Sequence, residues 1–361
     1  MKRVISLLLM LSVCGMSIAQ PIGKRSRIQK RTSHQSKSVA RIKASKSVVR
    51  SLFIAIARDS AGEIWAGGSL RLSKGLLLHR TGSDVTAKVF PEVQRIEDLA
   101  FPGTNAGWMI AGGHLYHTSD AGLTWQKGRL KTPPQFRSFS FSDEQHGWVA
   151  GWDGVIYHTD DGGIEWHKQH SGTTLDLWKI FFVDSMHGWA TGGRTTDLKW
   201  RSVILTTADG GRTWKNLSNQ SDLTLHDVTF VDEHQGWGLD MRKKRIVHTN
   251  DGGQTWTTQI ELENSYDSMF FLNHEEGWVI GEAVLHTKDG GQTWILNTPD
   301  EFAYSLKKAI FADSLHGWAI GDSQDGRPSV FSTADAGRTW EIISDNWEAK
   351  LVAGRLSTRP R

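Results

Sequence analysis

Short runs of β-branched and aromatic residues recur along this chain. Each is followed by a cluster of turn formers and then by a second, shorter apolar run. From Leu177 to Leu217 the pattern is complete. Trp178-Lys179-Ile180-Phe181-Phe182-Val183 is β-rich and mostly apolar, as a buried inner strand requires. Asp184-Ser185-Met186-His187 is a turn cluster. Gly188 to Gly192 then predicts a second strand, Ser202 to Thr206 a third and Thr213 to Leu217 a fourth. The expected unit is therefore four short antiparallel strands.

Self-comparison shows that the unit repeats. Six segments end in one box: HTSDAGLTW, HTDDGGIEW, TTADGGRTW, HTNDGGQTW, HTKDGGQTW and STADAGRTW. A Gly-Trp pair precedes each box, with Trp108, Trp148, Trp189, Trp237, Trp278 and Trp318 spaced by 40, 41, 48, 41 and 40 residues. Trp65, 43 residues earlier in GEIWAGG, fits the same slot, although its box has decayed to HRTGSDVTAKV. Four-stranded units at this period predict an all-β, seven-bladed β-propeller over residues 48–346, with the first blade degenerate.

The box residues have a physical task. In each, an Asp opens a tight turn between the third and fourth strands and accepts backbone N–H bonds there, while a Gly supplies backbone freedom. The Trp begins the outer strand and covers the blade against its neighbour. The pairs are Asp120 and Trp125, Asp161 and Trp166, Asp209 and Trp214, Asp251 and Trp256, Asp289 and Trp294, and Asp335 and Trp340. A catalytic site needs one copy, so six copies point to a structural role.

These boxes are the Asp-box (BNR) repeat. The fuller unit of apolar strand, HGW-A-x-G and T-x-DGG-x-TW resembles the photosystem II stability/assembly factor-like family of β-propellers, from Val48 to about Ile343. That resemblance implies an exported or lumenal seven-bladed scaffold that binds assembly partners without catalysis and without a cofactor. It does not imply photosystem II itself, and a fold does not determine a function.

The ends of the chain set its compartment. Lys2 and Arg3, the apolar run Val4 to Val13 and the small residues Ser17-Ile18-Ala19 predict a signal peptide over residues 1–19, cleaved before Gln20. Export to the periplasm or the extracellular space follows. Leu11-Ser12-Val13-Cys14 offers an alternative lipid anchor, although valine is bulky for the residue before a lipidated cysteine. Cleavage before Gln20 removes the only cysteine, leaving a mature chain without disulfides or thiol chemistry.

The net charge of +3 conceals a division. No Asp or Glu precedes Asp59, whereas residues 24–58 hold 11 Lys and Arg. The body from Asp59 onward carries 29 Lys and Arg against 39 Asp and Glu. Residues 20–47 predict a basic disordered arm, a solvated linker or a contact with an anionic surface. Export argues against nucleic acid as its target. Residues 347–361 predict a C-terminal extension or a closing strand.

Enzymatic and metal-binding readings are weaker. Sialidases also carry Asp-boxes, but their chemistry needs an arginine cluster and a tyrosine nucleophile with a glutamate partner. Of Tyr116, Tyr157, Tyr266 and Tyr304, the first two recur in one slot and read as packing, while the last two precede inner strands. Histidines also recur by slot: His117, His158, His248 and His286 before a box Thr, and His146, His187 and His316 before Gly-Trp. None shows helical ligand spacing, so no metal site is expected.

Departures from the repeat mark the expected partner site. The distance from the Gly-Trp tryptophan to the box tryptophan runs 17, 18, 25, 19, 16 and 22 residues, the excess falling between second and third strands. The longest insertion is Arg194-Thr195-Thr196-Asp197-Leu198-Lys199-Trp200-Arg201. Arg242, Lys243, Lys244 and Arg245 follow in the next blade, and Arg327 in the last. This predicts a basic patch around Trp200 that docks an acidic segment of a protein partner. The alternative is a glycan stacked on Trp152, Trp178 and Trp200.

Overall fold

The computed structural model describes residues 28–29, 51–71, 73–103, 105–128, 130, 135–218, 222–298, 304–344, 351–353 and 356–357. The expected leader, Cys14 and the arm over 20–47, apart from Ile28–Gln29, lie outside the described residues.

Seven antiparallel sheets follow one another in chain order, each hydrogen-bonded first strand to fourth. Blade 1 comprises Leu52–Arg58, Ile64–Leu70, Lys74–Thr81 and Asp84–Phe90. Blade 2 comprises Ile96–Ala100, Gly107–Ala111, His114–Thr118 and Trp125–Lys127. Blade 3 comprises Phe136–Phe141, Gly147–Gly151, Ile156–Thr159 and His167–Gln169. Blade 4 comprises Leu177–Phe182, Gly188–Thr196, Lys199–Thr207 and Lys215–Asn216. Blade 5 comprises Leu225–Phe230, Gly236–Asp240, Arg245–Thr249 and Thr257–Glu261. Blade 6 comprises Tyr266–Phe271, Gly277–Gly281, Val284–Thr287 and Trp294–Leu296. Blade 7 comprises Ser305–Phe311, Gly317–Asp322, Pro328–Thr333 and Glu341–Ile342. Among the described residues no helix is long and apolar enough to cross a membrane.

Blade 1 keeps all four strands although its box is gone. Its third and fourth strands are joined by a two-residue turn at Gly82, whose φ of +59° suits glycine, and Thr81 pairs with Asp84 directly. The four antiparallel strands of every blade come from one stretch of chain, so blade 7 meets blade 1 through packing, with Leu351–Ala353 pairing on the outer edge of blade 1. Phe53, Ile56 and Ala66 of blade 1 form one core with Ile320 and Val330 of blade 7. Three outer edges gain a short parallel strand: Leu351–Ala353 on blade 1, Leu356–Ser357 on blade 2 and Ile28–Gln29 on blade 6.

The Gly-Trp pair has a reason that spacing alone does not show. Each inner strand of blades 3 to 7 ends in a phenylalanine, Phe141, Phe182, Phe230, Phe271 or Phe311, and in blade 2 Phe101 follows the strand directly. A Cβ on the facing Gly107, Gly147, Gly188, Gly236, Gly277 or Gly317 would lie 2.3–2.6 Å from that ring. The glycine therefore makes room for the phenylalanine. The tryptophan that follows stacks on the phenylalanine of the next blade. Centroids are 3.6 Å apart for Trp148–Phe182, 3.5 Å for Trp189–Phe230, 3.5 Å for Trp237–Phe271 and 3.8 Å for Trp278–Phe311, all within 9° of parallel. The box tryptophan meets the same phenylalanine edge-on, as Trp256 meets Phe230. Such pairs contribute about 0.5–1.5 kcal/mol each beyond their buried area.

Hydrogen bonds complete the latch. Trp148, Trp189, Trp237 and Trp278 each donate Nε1–H to a main-chain carbonyl in the next blade's box: Gly210, Gly252, Gly290 and Ala336, at 2.9–3.0 Å. Where blade 7 meets blade 1, the phenylalanine slot holds Arg58, whose guanidinium sits 5.7 Å from the Trp318 ring centroid.

Candidate functional site

The two faces differ. The turn between first and second strands lies with the Asp-boxes, because Gly210 N–H donates to Met186 O at 2.9 Å. The opposite face carries the starts of the inner strands, the links between second and third strands, and the links between blades. A cavity of about 420 Å³ opens there, lined by inner-strand residues of all seven blades.

A register shift near the start of every inner strand, at its second residue in blades 2 to 6 and its third in blades 1 and 7, shapes this mouth. It places Ile54, Glu97, Arg137, Trp178, His226, Asp267 and Lys307 in one ring, each an extra residue in the ladder. Most of the charges are already satisfied. Lys179 lies 2.9 Å from Asp227, Lys308 is 3.2 Å from Asp98, Lys307 is 3.2 Å from Asp267 and Arg95 is 3.2 Å from Glu97. Burial alone would push Asp227 up and Lys179 down, but their mutual attraction outweighs it and both stay charged. Asp98 and Asp227 also accept the N–H of Phe139 and Met269 from the next blade, at 2.9 Å each. The channel thus ties inner strands together. Sequence reading missed this ring, although a signal existed: a charged or polar residue recurs at one slot of an otherwise apolar strand.

The insertion in blade 4, expected as a loop, is a continued ladder. Arg194 pairs with Arg201, Thr195 with Trp200 and Thr196 with Lys199, so the hairpin projects from the face. Its turn is Asp197-Leu198, both at positive φ, and Leu198 is 99% exposed. Thr195 and Thr196 favour extended backbone, which lets strand pairing absorb the extra residues.

The predicted basic residues divide into two groups. Arg194 is engaged by Asp153 at 2.7 Å and Asp176 at 3.4 Å, and donates to Thr174 O at 2.8 Å. Arg245 bonds Asp240 at 2.9 Å and Asp222 at 3.1 Å, and Lys243 pairs with Asp222 as well. Arg327 pairs with Asp325 at 2.9 Å on blade 7, with blade 6 between it and the others. Lys199, Arg201, Arg242 and Lys244 are exposed, and among the described residues they make no ion pair. Trp200 sits among them: Arg242 covers its ring at 5.8 Å, Trp178 lies 5.6 Å away, and its Nε1–H donates to Thr224 at 3.2 Å. Trp178 and Trp200 are half-buried against each other, and Trp152 stands 46% exposed on blade 3.

The Asp-boxes are turn locks. Thr207 Oγ1 donates to Asp209 Oδ1 at 2.8 Å and accepts the Gly211 N–H at 2.9 Å. Thr213 donates its N–H to Oδ1 at 2.9 Å and its hydroxyl to Oδ2 at 2.6 Å. Slight burial would raise the Asp209 pKa, but these bonds outweigh it and hold the carboxyl below its ordinary range. Blade 3 has Glu165 in place of that threonine, so Asp161 keeps the Thr159 hydroxyl at 2.7 Å but receives from residue 165 only the backbone N–H, at 3.1 Å.

The tyrosines and histidines serve packing. Burial pushes the Tyr266 hydroxyl up to about 12, the wrong direction for a nucleophile. Tyr304 lies 4.9 Å from the Phe331 ring and Tyr157 meets Phe136 edge-on. His117, His158, His248 and His286 lie 4.7–5.2 Å from the Gly-Trp tryptophans of their own blades. His146, His187 and His316 bond the aspartate three residues earlier. The ligand-type atoms of Asp59, Glu63 and His79 converge within 4.8 Å. There Asp59 Oδ2 accepts the Trp65 indole N–H at 3.0 Å and His79 meets Glu63 at 2.6 Å, closing the first turn of blade 1.

Comparison with solved structures places this architecture. The structure described as "YCF48 bound to D1 peptide" superposes with a TM-score of 0.62 at 18% identity, covering 79% of this chain and 93% of that one. YCF48 from Cyanidioschyzon merolae gives 0.54 at 18% identity, covering 68% and 84%. A GH74 enzyme from Niastella koreensis gives 0.57 at 13% identity over 80% of this chain and 58% of its own, a likeness of fold alone. No curated protein matches the chain. The family model for photosynthesis system II assembly factor YCF48 matches residues 83–176 and 212–301, over half the chain, and the chain belongs to that family.

Proposed function

We propose that this propeller is a non-catalytic scaffold whose loop-rich face docks an acidic segment of a protein partner. The observation that carries the reading is the set of four cations, Lys199, Arg201, Arg242 and Lys244, that surround Trp200 and make no ion pair among the described residues. Arg and Trp are the residue types that anchor interfaces, and an incoming carboxylate finds cations not already committed to internal partners. A relative described as bound to a D1 peptide supports protein binding as the family's mode. The first nineteen residues direct export in this reading, and N-terminal sequencing of the mature protein tests that.

The test uses a blocked peptide of alternating glutamate and phenylalanine, titrated at low and moderate salt. Binding should weaken with salt. The double reversal Arg242→Glu with Lys244→Glu should weaken it about tenfold or more, since two exposed pairs at about 0.7 kcal/mol each total about 1.4 kcal/mol. Equal binding by the double variant would sink the assignment of this face. Affinity purification of the tagged mature chain from its envelope fraction, beside that variant, then identifies the natural partner.

A further inference from the structure

The seam between blades 2 and 3 departs from the latch that repeats around the ring. Trp108 is 2% exposed, yet its Nε1–H, buried from solvent, has no hydrogen-bond partner among the described residues. The equivalent donors at four other seams each hold a main-chain carbonyl of the next box. The Trp108 ring lies across Gly163, where a Cβ would be 2.1 Å from its Cζ2, and its distance to Phe141 has opened to 6.5 Å. Phe139 explains the displacement. It occupies the position held by Ile180, Val228, Met269 and Ala309 in later blades, and its larger ring meets Trp108 edge-on at 6.5 Å.

Beside Trp108 stands Trp166, the box tryptophan of blade 3. Among the described residues its buried Nε1 also has no partner, as holds for the box tryptophans Trp125 and Trp294, and the two indoles meet edge-on at 5.4 Å. A cleft of about 730 Å³ opens beside this pair, lined by Trp108, His117, Lys127, Leu130, Ile164 and Trp166 among others. That volume is in the range of sites that hold ligands. At its lip Ile164 is 72% exposed, where four of the other boxes carry Arg212, Gln254, Gln292 and Arg338. Two buried donors without acceptors are costly, at about 1–3 kcal/mol each.

We propose that this cleft binds a neutral extended peptide segment of a partner protein. The two rings turn toward the cleft as the segment binds, so that its main-chain carbonyls accept from Trp108 Nε1–H and Trp166 Nε1–H, and an apolar side chain rests on Ile164 and Leu130. The carbonyl is chosen because it is the group that satisfies the equivalent indole elsewhere in the ring. Neutrality follows from the lining, which sets Lys127 against Glu165, while burial pulls the His117 imidazole below its ordinary value. The site lies on the Asp-box face, opposite the basic patch, and stands or falls independently of it.

The test follows indole ¹⁵N–H resonances of the full mature chain during titration with N-acetyl-leucyl-alanyl-leucine N-methylamide. Without ligand, the Trp108 and Trp166 protons should exchange with water faster than those of Trp148, Trp189, Trp237 and Trp278. With the peptide, those two resonances should shift and saturate together, and Trp108→Phe should weaken binding about tenfold while the fold's other indole signals stay in place. Phe139→Ile, which lets Trp108 return to its latch, should abolish the shift without unfolding the chain. Absence of any shift at Trp108 and Trp166 overturns the proposal. So does a shift of the same two protons by cellobiose in place of the peptide, which would assign the cleft to a glycan.

Discussion

Gly236→Ala is a small change with a sign that separates two explanations of the Gly-Trp repeat. Gly236 lies within the second strand of blade 5, outside the positive-φ set, so alanine meets no backbone strain there. If glycine were merely tolerated, alanine would stabilise the strand by about 0.5–1 kcal/mol. The packing predicts the opposite. The new Cβ would lie 2.3 Å from Phe230 Cδ1, and that ring has no free direction to move. Trp189 stacks on it at 3.5 Å, Trp256 meets it edge-on at 6.1 Å, and it is 3% exposed. Overpacking costs about 1–3 kcal/mol, and a shifted ring gives up part of two aromatic contacts at about 0.5–1.5 kcal/mol each. A loss of about 2–4 kcal/mol is expected. Urea unfolding followed by tryptophan fluorescence measures it, with the slope m unchanged so that the midpoint reports stability. Phe230→Leu alone should cost about 1–2 kcal/mol, less than the 3–5 typical of Phe→Ala. Combined with Gly236→Ala it should cost at least about 1 kcal/mol less than the sum, because leucine vacates the space the methyl needs. A neutral or stabilising Gly236→Ala, or strict additivity, would refute the reasoning.

His79, His117, His158, His248 and His286 are all pulled below their ordinary value of 6.5, chiefly by burial. As pH falls below 6.5 the unfolded chain takes up protons before the folded one, so this stability is present above that pH and lost as pH falls toward the folded values. The urea midpoint should drop between about pH 7 and pH 5, and His248→Phe should flatten the slope; a midpoint independent of pH in this window counts against the burial of these rings. Glu165→Thr restores the hydroxyl that bonds the box aspartate at 2.6–2.7 Å in five other blades. A thermal melt should show a gain of about 0.5–1 kcal/mol, and a loss would contradict the turn-lock role.

The repeat was legible because it is local. Asp, Gly, Thr and Trp at fixed spacing satisfy one turn with side chains a few residues apart, as Thr207, Asp209 and Thr213 do. Strand order within a blade followed from the same proximity, and the blade count from the repeat period. Blade 1 was readable as degenerate but not as complete, since a two-residue turn at Gly82 replaces the box without leaving its pattern. The basic cluster was legible as composition. Which of its members are free was not, because Asp153, Asp176 and Asp222 reach Arg194, Arg245 and Lys243 from 18 to 41 residues away.

Tertiary structure alone decided the rest. The channel ring exists because a bulge at one slot turns seven separated residues toward a common axis, and that convergence is a property of the closed circle. The open seam depends on whether Phe139 of one blade leaves room for Trp108 of another, a question of volume across an interface. Sequence specifies the unit through short-range hydrogen bonding and periodic burial. Only packing between units determines where the pattern holds and where it leaves donors free to bind.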